Sequence, residues 1–250
     1  MRIMEAIILA GGLGTRLRTV VSDVPKPMAP IGSRPFLELL LDFWIDEGVR
    51  RFILAVGYKQ ELVVAHFGFS YRGIPIDYSV EIEPKGTGGA LFLALEKISN
   101  DNLFFVINGD TFFPIDSSSA LIFHQNNKSK FTIILKEMPS NERYGTVRLR
   151  KDFRIEQFCL SGEGVPPYLI NGGVYIANPL FLKEQREKFE EKSPISMESF
   201  LFPKWIENGE SIFGFQDSGK FIDIGIPEDY KKFQGWFDLS RSNKSLKEGL

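Results

Sequence analysis

The sequence predicts an α/β fold in which a mixed, mainly parallel sheet is flanked by helices and carries a small β-rich insertion. Short apolar runs alternate with segments of helical periodicity through the first part of the chain, as in repeated strand–helix–strand units. The alternation breaks in the middle, where strand-like segments follow one another, and helical periodicity returns near the end. A chain of 250 residues, 43% of them hydrophobic, is long enough to bury a sizeable core.

Strands and helices are predicted to alternate in the first half. The first strand, 6–10, is a short apolar run that ends at Gly11, and a long loop with three prolines follows. The next segment is predicted to be a helix, because Pro35 stands near its start, apolar residues recur at helical spacing and Gly48 follows it. Further strands are expected at 52–56, 76–82 and 103–107, and further helices at 60–67 and 89–98.

The second half is predicted to hold the β-rich insertion and three more helices. Strands are expected at 131–135, 145–149, 154–158 and 169–176, and helices at 179–191, 197–208 and 227–239. We interpret residues 1–239 as one domain and residues 240–250 as a polar C-terminal tail.

Composition and charge exclude several classes of function. The formal net charge of -2 provides no overall field for nucleic acid or anionic lipid, so we expect neither partner. A single cysteine, Cys159, excludes an internal disulfide, and no stretch has the pattern of a signal peptide or a membrane span. We therefore expect a cytoplasmic protein, whose 23 phenylalanines leave a homo-oligomeric contact open.

A glycine loop stands at the carboxyl end of the first strand, where ligands of open α/β sheets bind. Gly11, Gly12 and Gly14 let main-chain amides approach phosphate oxygens. The loop lacks the Lys-Ser/Thr pair of a P-loop, and Leu17 stands where the dinucleotide fingerprint needs its third glycine. A tight turn without a ligand is the alternative interpretation.

Two cations accompany the glycine loop. Arg16 follows the glycines directly, and Lys26 lies between Pro25 and Pro27, which restrict where its ammonium can point. A forked guanidinium with a compact ammonium suits the several negative charges of a triphosphate. Either residue alone is typical of an ordinary surface charge, but together at this position they predict a polyphosphate site.

At this point the chain resembles a known family, the sugar-1-phosphate nucleotidyltransferases. The similarity covers about residues 3–235 and lies in segments that occur in the family's order: LAGGLGTRL at 9–17 with PKPM at 25–28, EPKGTGGA at 83–90, NGD at 108–110, NGGVY at 171–175 and DIGIPEDY at 223–230. The resemblance implies a Rossmann-like (GT-A-like) architecture. Segments 108–113 and 169–173 look most similar to D-glycero-α-D-manno-heptose 1-phosphate guanylyltransferases.

The resemblance also implies roles for individual residues. Arg16, Lys26 and Asp110 would be catalytic, and Asp110 and Asp223 would hold Mg²⁺. The acceptor sugar phosphate would meet Gly145, Asn171 and Gly172. The nucleotide would be bound by Leu9, Ala10, Gly11, Gly12, Gly14, Thr15, Arg16, Glu83, Gly86, Thr87 and Gly88. The implied partners are therefore a nucleoside triphosphate, a sugar 1-phosphate and a magnesium cofactor.

The residues suit this reaction, in which a sugar phosphate oxygen attacks the α-phosphorus and pyrophosphate leaves. The attacking phosphate is already ionised, so no general base is needed, and the chain has just two histidines, His66 and His124, which we interpret as structural or surface residues. Catalysis would come from positioning and charge neutralisation. Without the resemblance, Asp110 and Asp223 would be typical turn or cap residues beside glycine.

Either of two carboxylates could recognise the base. Glu81 or Glu83 could accept hydrogen bonds from guanine N–H groups, which favours GTP, although a solvated strand carboxylate is the alternative. Glu83 belongs to the segment that resembles the family and is therefore included in the predicted nucleotide site.

The match breaks after the strand at 154–158. Family members usually carry a Glu-Lys pair there, for the sugar hydroxyls and the sugar phosphate, whereas this chain has Leu160 and Ser161. Arg143, Arg154 and Lys136 are candidate replacements for the cation. Acceptor binding is thus in question, which keeps a non-catalytic sensor of nucleotides or sugar phosphates as an alternative, together with an enzyme for another pair of triphosphate and hexose 1-phosphate.

A glycosyltransferase that uses nucleotide sugars is a further alternative with the same general architecture. Such enzymes typically carry Asp-x-Asp at the metal-binding strand, whereas here Phe112 stands two residues after Asp110. This pattern favours the nucleotidyltransferase.

Overall fold

The computed structural model describes residues 4–242, except 13, 15–16, 18–20, 22, 141, 160–161 and 190–193. Thr15, Arg16, Leu160 and Ser161, which the sequence singled out, therefore lie outside the described residues.

The first half of the chain alternates strands and helices. In chain order these are β1 (Met4–Leu9), a 3₁₀ turn (Lys26–Met28), β2 (Pro30–Ile31), β3 (Arg34–Pro35), α1 (Phe36–Asp46), β4 (Val49–Val56), α2 (Gln60–Phe67), β5 (Ser70–Tyr71), β6 (Ile74–Val80), α3 (Gly86–Leu95), β7 (Phe104–Asn108), β8 (Thr111–Phe112) and α4 (Ser117–Asn126). The predicted alternation is confirmed, with boundaries shifted by a few residues.

The second half supplies antiparallel strands and the last helices. These are β9 (Phe131–Met138), β10 (Thr146–Leu149), β11 (Ile155–Cys159), β12 (Tyr168–Ala177), α5 (Pro179–Glu187), a π-helical turn (Met197–Leu201), α6 (Phe202–Glu207), β13 (Ile212–Gln216), β14 (Ile222–Asp223) and α7 (Pro227–Ser242). The sequence did not predict β13, which has a glycine at its centre, Gly214.

One large mixed sheet organises the molecule. Its strands run in the order β11-β10-β12-β7-β1-β4-β6-β5, and β9 pairs with β12 and carries β13 on its other side. The continuous centre β7-β1-β4-β6 is parallel, whereas β12 pairs antiparallel with β7, β9 and β10. The predicted β-rich insertion therefore extends the same sheet, and its outlying part is the β10–β11 hairpin.

Helices cover both faces of this sheet. Successive residues of β1 point to opposite sides, so Ala6 and Ile8 join one core with α1 and α7, while Ile7 joins the other with α3, α5 and α6. A strand that is buried on both faces must be apolar throughout, which explains the uninterrupted AIIL run of β1.

The last two predicted helices differ from the structure at their ends. The segment 197–208 begins as a π-helical turn and becomes α-helical only near Pro203, which has no N–H to donate to the preceding turn. The last helix continues to Ser242, three residues beyond the predicted domain end at 239. Across the residues that the structure describes, no helix combines the length and apolarity needed to cross a membrane.

Candidate active site

The site lies where parallel strands β1 and β7 end side by side. The N–H of Gly109 donates to the carbonyl of Leu9 at 2.9 Å, so the residues that follow the two strands run close together. A Cβ on Gly109 would stand 2.9 Å from that carbonyl oxygen, which explains why glycine precedes Asp110. The glycine loop after β1 and the aspartate after β7 are thereby brought to one edge of the sheet.

The second aspartate reaches this edge through a two-stranded pairing. β14 pairs antiparallel with β8, which places Asp223 opposite Thr111, and the N–H of Ile224 donates to the carbonyl of Asp110 at 3.0 Å. The side chain of Asp223 also accepts the N–H of Gly225 at 2.6 Å. Both predicted metal ligands are therefore neighbours, although they are far apart in the sequence.

Lys26 joins the two aspartates. Its Nζ lies 2.6 Å from Oδ2 of Asp110 and 3.4 Å from Oδ1 of Asp223. The lysine side chain is 9% exposed, against 38% for Asp110 and 17% for Asp223. Because Pro25 and Pro27 flank the lysine, its backbone direction is restricted, as the sequence predicted.

The electrostatics of this cluster favour another cation. Burial and then the charge of Asp110 raise the pKa of Asp223, and Lys26 offsets the rise only in part. Two carboxylates thus share one ammonium in a partly buried place. A group that brings more positive charge would stabilise both ionised carboxylates.

The donor set fits a hard divalent cation. Asp110 and Asp223 offer carboxylate oxygens, the ligand type that Mg²⁺ prefers, and Oδ1 of Asn108 is buried without a hydrogen-bond partner among the described residues. The described part of the chain has no group of three or more metal-ligating side chains. Phosphate oxygens and water would complete the coordination, as is usual for Mg²⁺.

A first cavity of about 340 Å³ adjoins the cluster and contains most of the predicted nucleotide site. Lys26, Asp110 and Asn108 line one end. The predicted nucleotide residues that line it are Leu9, Ala10, Gly11, Gly12, Gly14, Gly86 and Thr87. Gly88 is buried in the first turn of α3 and is not part of the lining.

The structure separates the two candidate base-binding carboxylates. Glu81 lines the first cavity and is half-buried, and this burial raises the pKa of its carboxyl group. Its Oε1 accepts the N–H of Lys85 at 2.9 Å, and its Oε2 lies against Gly11. Glu83 is exposed and lies outside the lining of both cavities, so Glu81 is the better placed of the two, and the role of Glu83 stays a prediction.

A second cavity, of about 640 Å³, lies on the other side of the cluster and shares Asn108 and Asp110 with the first. Of the predicted acceptor residues, Gly145 and Asn171 line it. Gly172 does not, because it packs on the ring of Phe113, where a Cβ would stand 2.5 Å from a ring carbon. Gly172 therefore shapes the strand rather than the cavity wall.

Of the three candidate cations for the acceptor, Arg143 lines the second cavity. It is held by Asp229, with 2.7 Å between Nη1 and Oδ2, and Asp229 and Tyr144 raise the pKa of its guanidinium against the effect of burial. Lys136 instead donates to the carbonyl of Ser218, and Arg154 pairs with residues at the far end of the β10–β11 hairpin.

Among the charged residues that line the second cavity, Glu198 is the one that sequence reasoning missed. It belongs to the π-helical turn, lines the cavity, and accepts a hydrogen bond from Thr87 at 2.9 Å. No local pattern marks it, since Thr87 is 111 residues away in the chain. A Ser-x-x-Ser cap at 196–199 is the nearest signal, and it indicates a helix start only.

Comparison with known proteins finds similarity over almost the whole chain. The profile described as nucleotidyl transferase matches residues 5–237. The chain is 44% identical to D-glycero-alpha-D-manno-heptose 1-phosphate guanylyltransferase of Aneurinibacillus thermoaerophilus, over 92% of this chain and 97% of the relative. It is 41% identical to the protein of that name from Campylobacter jejuni, over 92% and 98%.

A solved structure shows the same fold. HddC from Yersinia pseudotuberculosis, complexed with GMP-PN, superposes with a TM-score of 0.79 at 34% identity, covering 94% of this chain and all of the other. The predicted architecture and the family resemblance are both confirmed.

Proposed function

Because the chain belongs to the nucleotidyl transferase family, we propose that it transfers a nucleoside monophosphate from GTP to a heptose 1-phosphate, with release of pyrophosphate. The observation that carries the proposal is the position of Lys26, Asp110 and Asp223 between two cavities. One cavity has the glycine loop that suits a triphosphate, and the other has the cation and amide that suit a sugar phosphate. The reacting phosphates would meet at the cluster.

The chemistry requires positioning rather than a general base. The acceptor phosphate attacks the α-phosphorus while pyrophosphate departs on the opposite side, and Lys26 neutralises charge where the bond forms. His66 contacts Glu38 at the surface and His124 is buried beside Thr132, so both histidines lie away from the cluster. Main-chain amides of the glycine loop hold the remaining phosphates.

We assign Asp110 and Asp223 as the ligands of Mg²⁺. The metal would supply charge neutralisation on the phosphates of the bound triphosphate. Lys26 would then pass from the carboxylates to a phosphate oxygen, since metal and ammonium compete for the same oxygens of Asp110. Arg16, predicted to bind the triphosphate, lies outside the described residues and keeps that role as a prediction.

The choice of GTP rests on two supports. The two relatives named above are called guanylyltransferases, and the solved relative was crystallised with GMP-PN. Glu81 lines the nucleotide cavity, and its carboxylate is an acceptor for the N–H groups that guanine offers. The heptose rests on the names of the relatives alone.

Three further features of the protein are predicted. These are a cytoplasmic location, a homo-oligomeric contact and a single domain over 1–239 with a tail beyond it.

A matrix of pyrophosphate-release assays tests the proposed function. GTP, ATP, UTP, CTP and dTTP would each be paired with D-glycero-α-D-manno-heptose 1-phosphate, mannose 1-phosphate and glucose 1-phosphate, in magnesium and after chelation. We expect the highest kcat/KM for GTP with the heptose, and loss of activity on chelation. Silence for every pair, together with tight binding of GTP, would instead identify a non-catalytic sensor.

A further inference from the structure

Glu198 has an unusual position between the two cavities. Its Oε2 accepts hydrogen bonds from Thr87 Oγ1 at 2.9 Å and from Ser196 Oγ at 3.0 Å. Its Oε1 has no hydrogen-bond donor among the described residues, and the side chain lines the second cavity. A carboxylate with one satisfied and one open oxygen is therefore presented to the acceptor cavity.

The carboxylate is held by contacts between the two cavities. Thr87 Oγ1 donates to Glu198 and also accepts the N–H of Met197 at 2.8 Å. Beside it, the N–H of Ile195 donates to the carbonyl of Lys85 and the N–H of Gly88 donates to the carbonyl of Ile195, both at 2.7 Å. The turn that lines the nucleotide cavity and the turn that carries Glu198 thus form one hydrogen-bonded unit.

The geometry of the π-helical turn supports this placement. Met197 and Leu201 are fully buried and anchor the turn to the core, so that Glu198 has little freedom to swing away. π-helical turns are rare and are frequent at functional sites. Because Met197 and Leu201 are buried, the direction of the Glu198 carboxylate is fixed before a ligand binds.

The charges around the second cavity indicate what this carboxylate can bind. Arg143 in the cavity wall and Lys26 beside Asp110 attract a phosphate, whereas the negative charge of Glu198 repels it. Sugar hydroxyl groups are donors that need acceptors, and a carboxylate oxygen is among the strongest available. Asp110 and Asp223 already accept from Lys26, which leaves Glu198 free for the sugar.

We propose that Glu198 is the specificity residue for the acceptor sugar, accepting ring hydroxyl groups through Oε1, and that Thr87 links it to the nucleotide turn. The inference rests on the proposed function and deepens it. It supplies, from another part of the chain, an acidic group that this sequence lacks at Leu160 and Ser161. A sugar that has lost the contacted hydroxyl should bind less tightly, whereas GTP should bind as before.

The test compares Glu198→Gln with wild type at saturating GTP. The acceptors are D-glycero-α-D-manno-heptose 1-phosphate and its monodeoxy analogues, and Glu207→Gln, an exposed glutamate on α6, is the matched control. We expect Glu198→Gln to raise the acceptor KM about tenfold or more, as for loss of a hydrogen bond to a charged group, with the GTP KM changed less than about twofold. The control should match wild type.

The analogues separate a sugar contact from a structural role. In wild type, one deoxy analogue should lose about as much in kcat/KM as the Glu198→Gln variant loses with the full sugar. In the variant, the same analogue should lose little more, because the contact is already gone. Additive losses for every analogue, or an equal rise of both KM values, would overturn the assignment.

A second pair of variants tests the link through Thr87. Thr87→Val removes the hydroxyl that holds Glu198, and Thr87→Ser keeps it. We expect the valine variant to raise the acceptor KM several-fold and the serine variant to restore it. Equal acceptor KM values in both variants would contradict the link. If wild type is inactive with every substrate pair, the proposed function fails, whereas normal wild-type turnover with an unaffected Glu198→Gln variant rejects this inference alone.

Discussion

Lys26 contacts both aspartates of the site, and the proposed chemistry requires that these contacts can be exchanged for others. An ammonium between two carboxylates is stable without ligands. When a phosphate and a metal bind, the phosphate can pair with the ammonium and the metal with the carboxylates. Burial, followed by the charge of Asp110, raises the pKa of Asp223 even with Lys26 in contact, as expected where one ammonium faces two carboxylates. A bound metal would therefore reduce the repulsion between Asp110 and Asp223.

Glu81 is predicted to determine which base the enzyme prefers. Inosine triphosphate lacks the 2-amino group of GTP and so offers one N–H group fewer to a carboxylate. We expect wild type to prefer GTP over ITP by about tenfold, and Glu81→Gln to lose most of that preference. Steady-state kcat/KM for both triphosphates measures the ratio.

The rival carboxylate is tested in parallel with Glu83→Gln. Because Glu83 is exposed and outside both cavities, its variant should keep the wild-type ratio. A loss of the GTP preference in Glu83→Gln, with none in Glu81→Gln, would show that the sequence-based choice was right and the structural one wrong.

At the scale of elements, the site depends on how the turn before α3 docks against residues 195–197. Gly86 has φ +73°, and a Cβ there would stand 2.5 Å from the carbonyl oxygen of Ile195. Both the backbone conformation and the space therefore require glycine. The same contact holds Lys85 and Gly88 in their hydrogen bonds to Ile195.

Gly86→Ala should lower the free energy of unfolding and weaken nucleotide binding together. We expect a loss of about 1–3 kcal/mol from strain and displacement, with a several-fold rise in the GTP KM. Urea unfolding and steady-state kinetics measure the two effects. The matched control is Gly209→Ala, which has φ +71° but open space around the Cβ, and should cost about 1 kcal/mol with an unchanged KM. Equal effects of both variants would contradict the docking argument.

The helices and strands themselves were largely predictable. Which side chain at the end of an element faces the site was not. An uninterrupted apolar run and a following glycine are local signals, so β1 and its glycine loop can be read from the sequence. Glu81 and Glu83 could not be separated, because the chain leaves β6 at Val80 and the alternation of a strand no longer fixes side-chain directions. The π-helical turn was not predicted, because hydrophobic periodicity alone indicates one continuous helix over residues 197–208.

At the scale of the whole molecule, His124 connects stability to pH. It is buried between α4 and the sheet, its Nδ1 contacts Thr132, and its Nε2 has no partner among the described residues. Burial lowers its pKa from 6.5 to about 4. The unfolded chain therefore binds a proton that the folded protein does not, between about pH 6.5 and pH 4, and stability falls as the pH falls through that range.

Urea unfolding at pH 7.5 and pH 5 tests this link. We expect His124 to account for about 2 kcal/mol of the stability lost between the two conditions. His124→Gln cannot be protonated, so its loss should be smaller than that of wild type by about this amount. Subtracting the stability loss of the variant from that of wild type removes the contribution of carboxylates that titrate equally in both proteins. An identical loss in both would show that folding does not lower the pKa of His124.

Apart from the resemblance, the sequence locates a site residue most directly where that residue follows a strand. Asp110 stands directly after an apolar strand, so its place at the sheet edge is a local inference. The contacts of Lys26 join residues 84 and 197 positions apart, and the contact between Thr87 and Glu198 joins residues 111 apart. Such pairings arise from sheet order and helix docking, which no single segment of sequence encodes.

The most direct test of the account is the turnover of Asp110→Asn at saturating GTP, heptose 1-phosphate and magnesium. The amide keeps the size of the side chain but removes the charge shared by Lys26 and the metal. We predict that pyrophosphate release falls by about 10²–10³-fold while the unfolding midpoint stays within a few degrees of wild type. Turnover near the wild-type rate in a folded Asp110→Asn protein would contradict the central claim that phosphoryl chemistry occurs at this cluster.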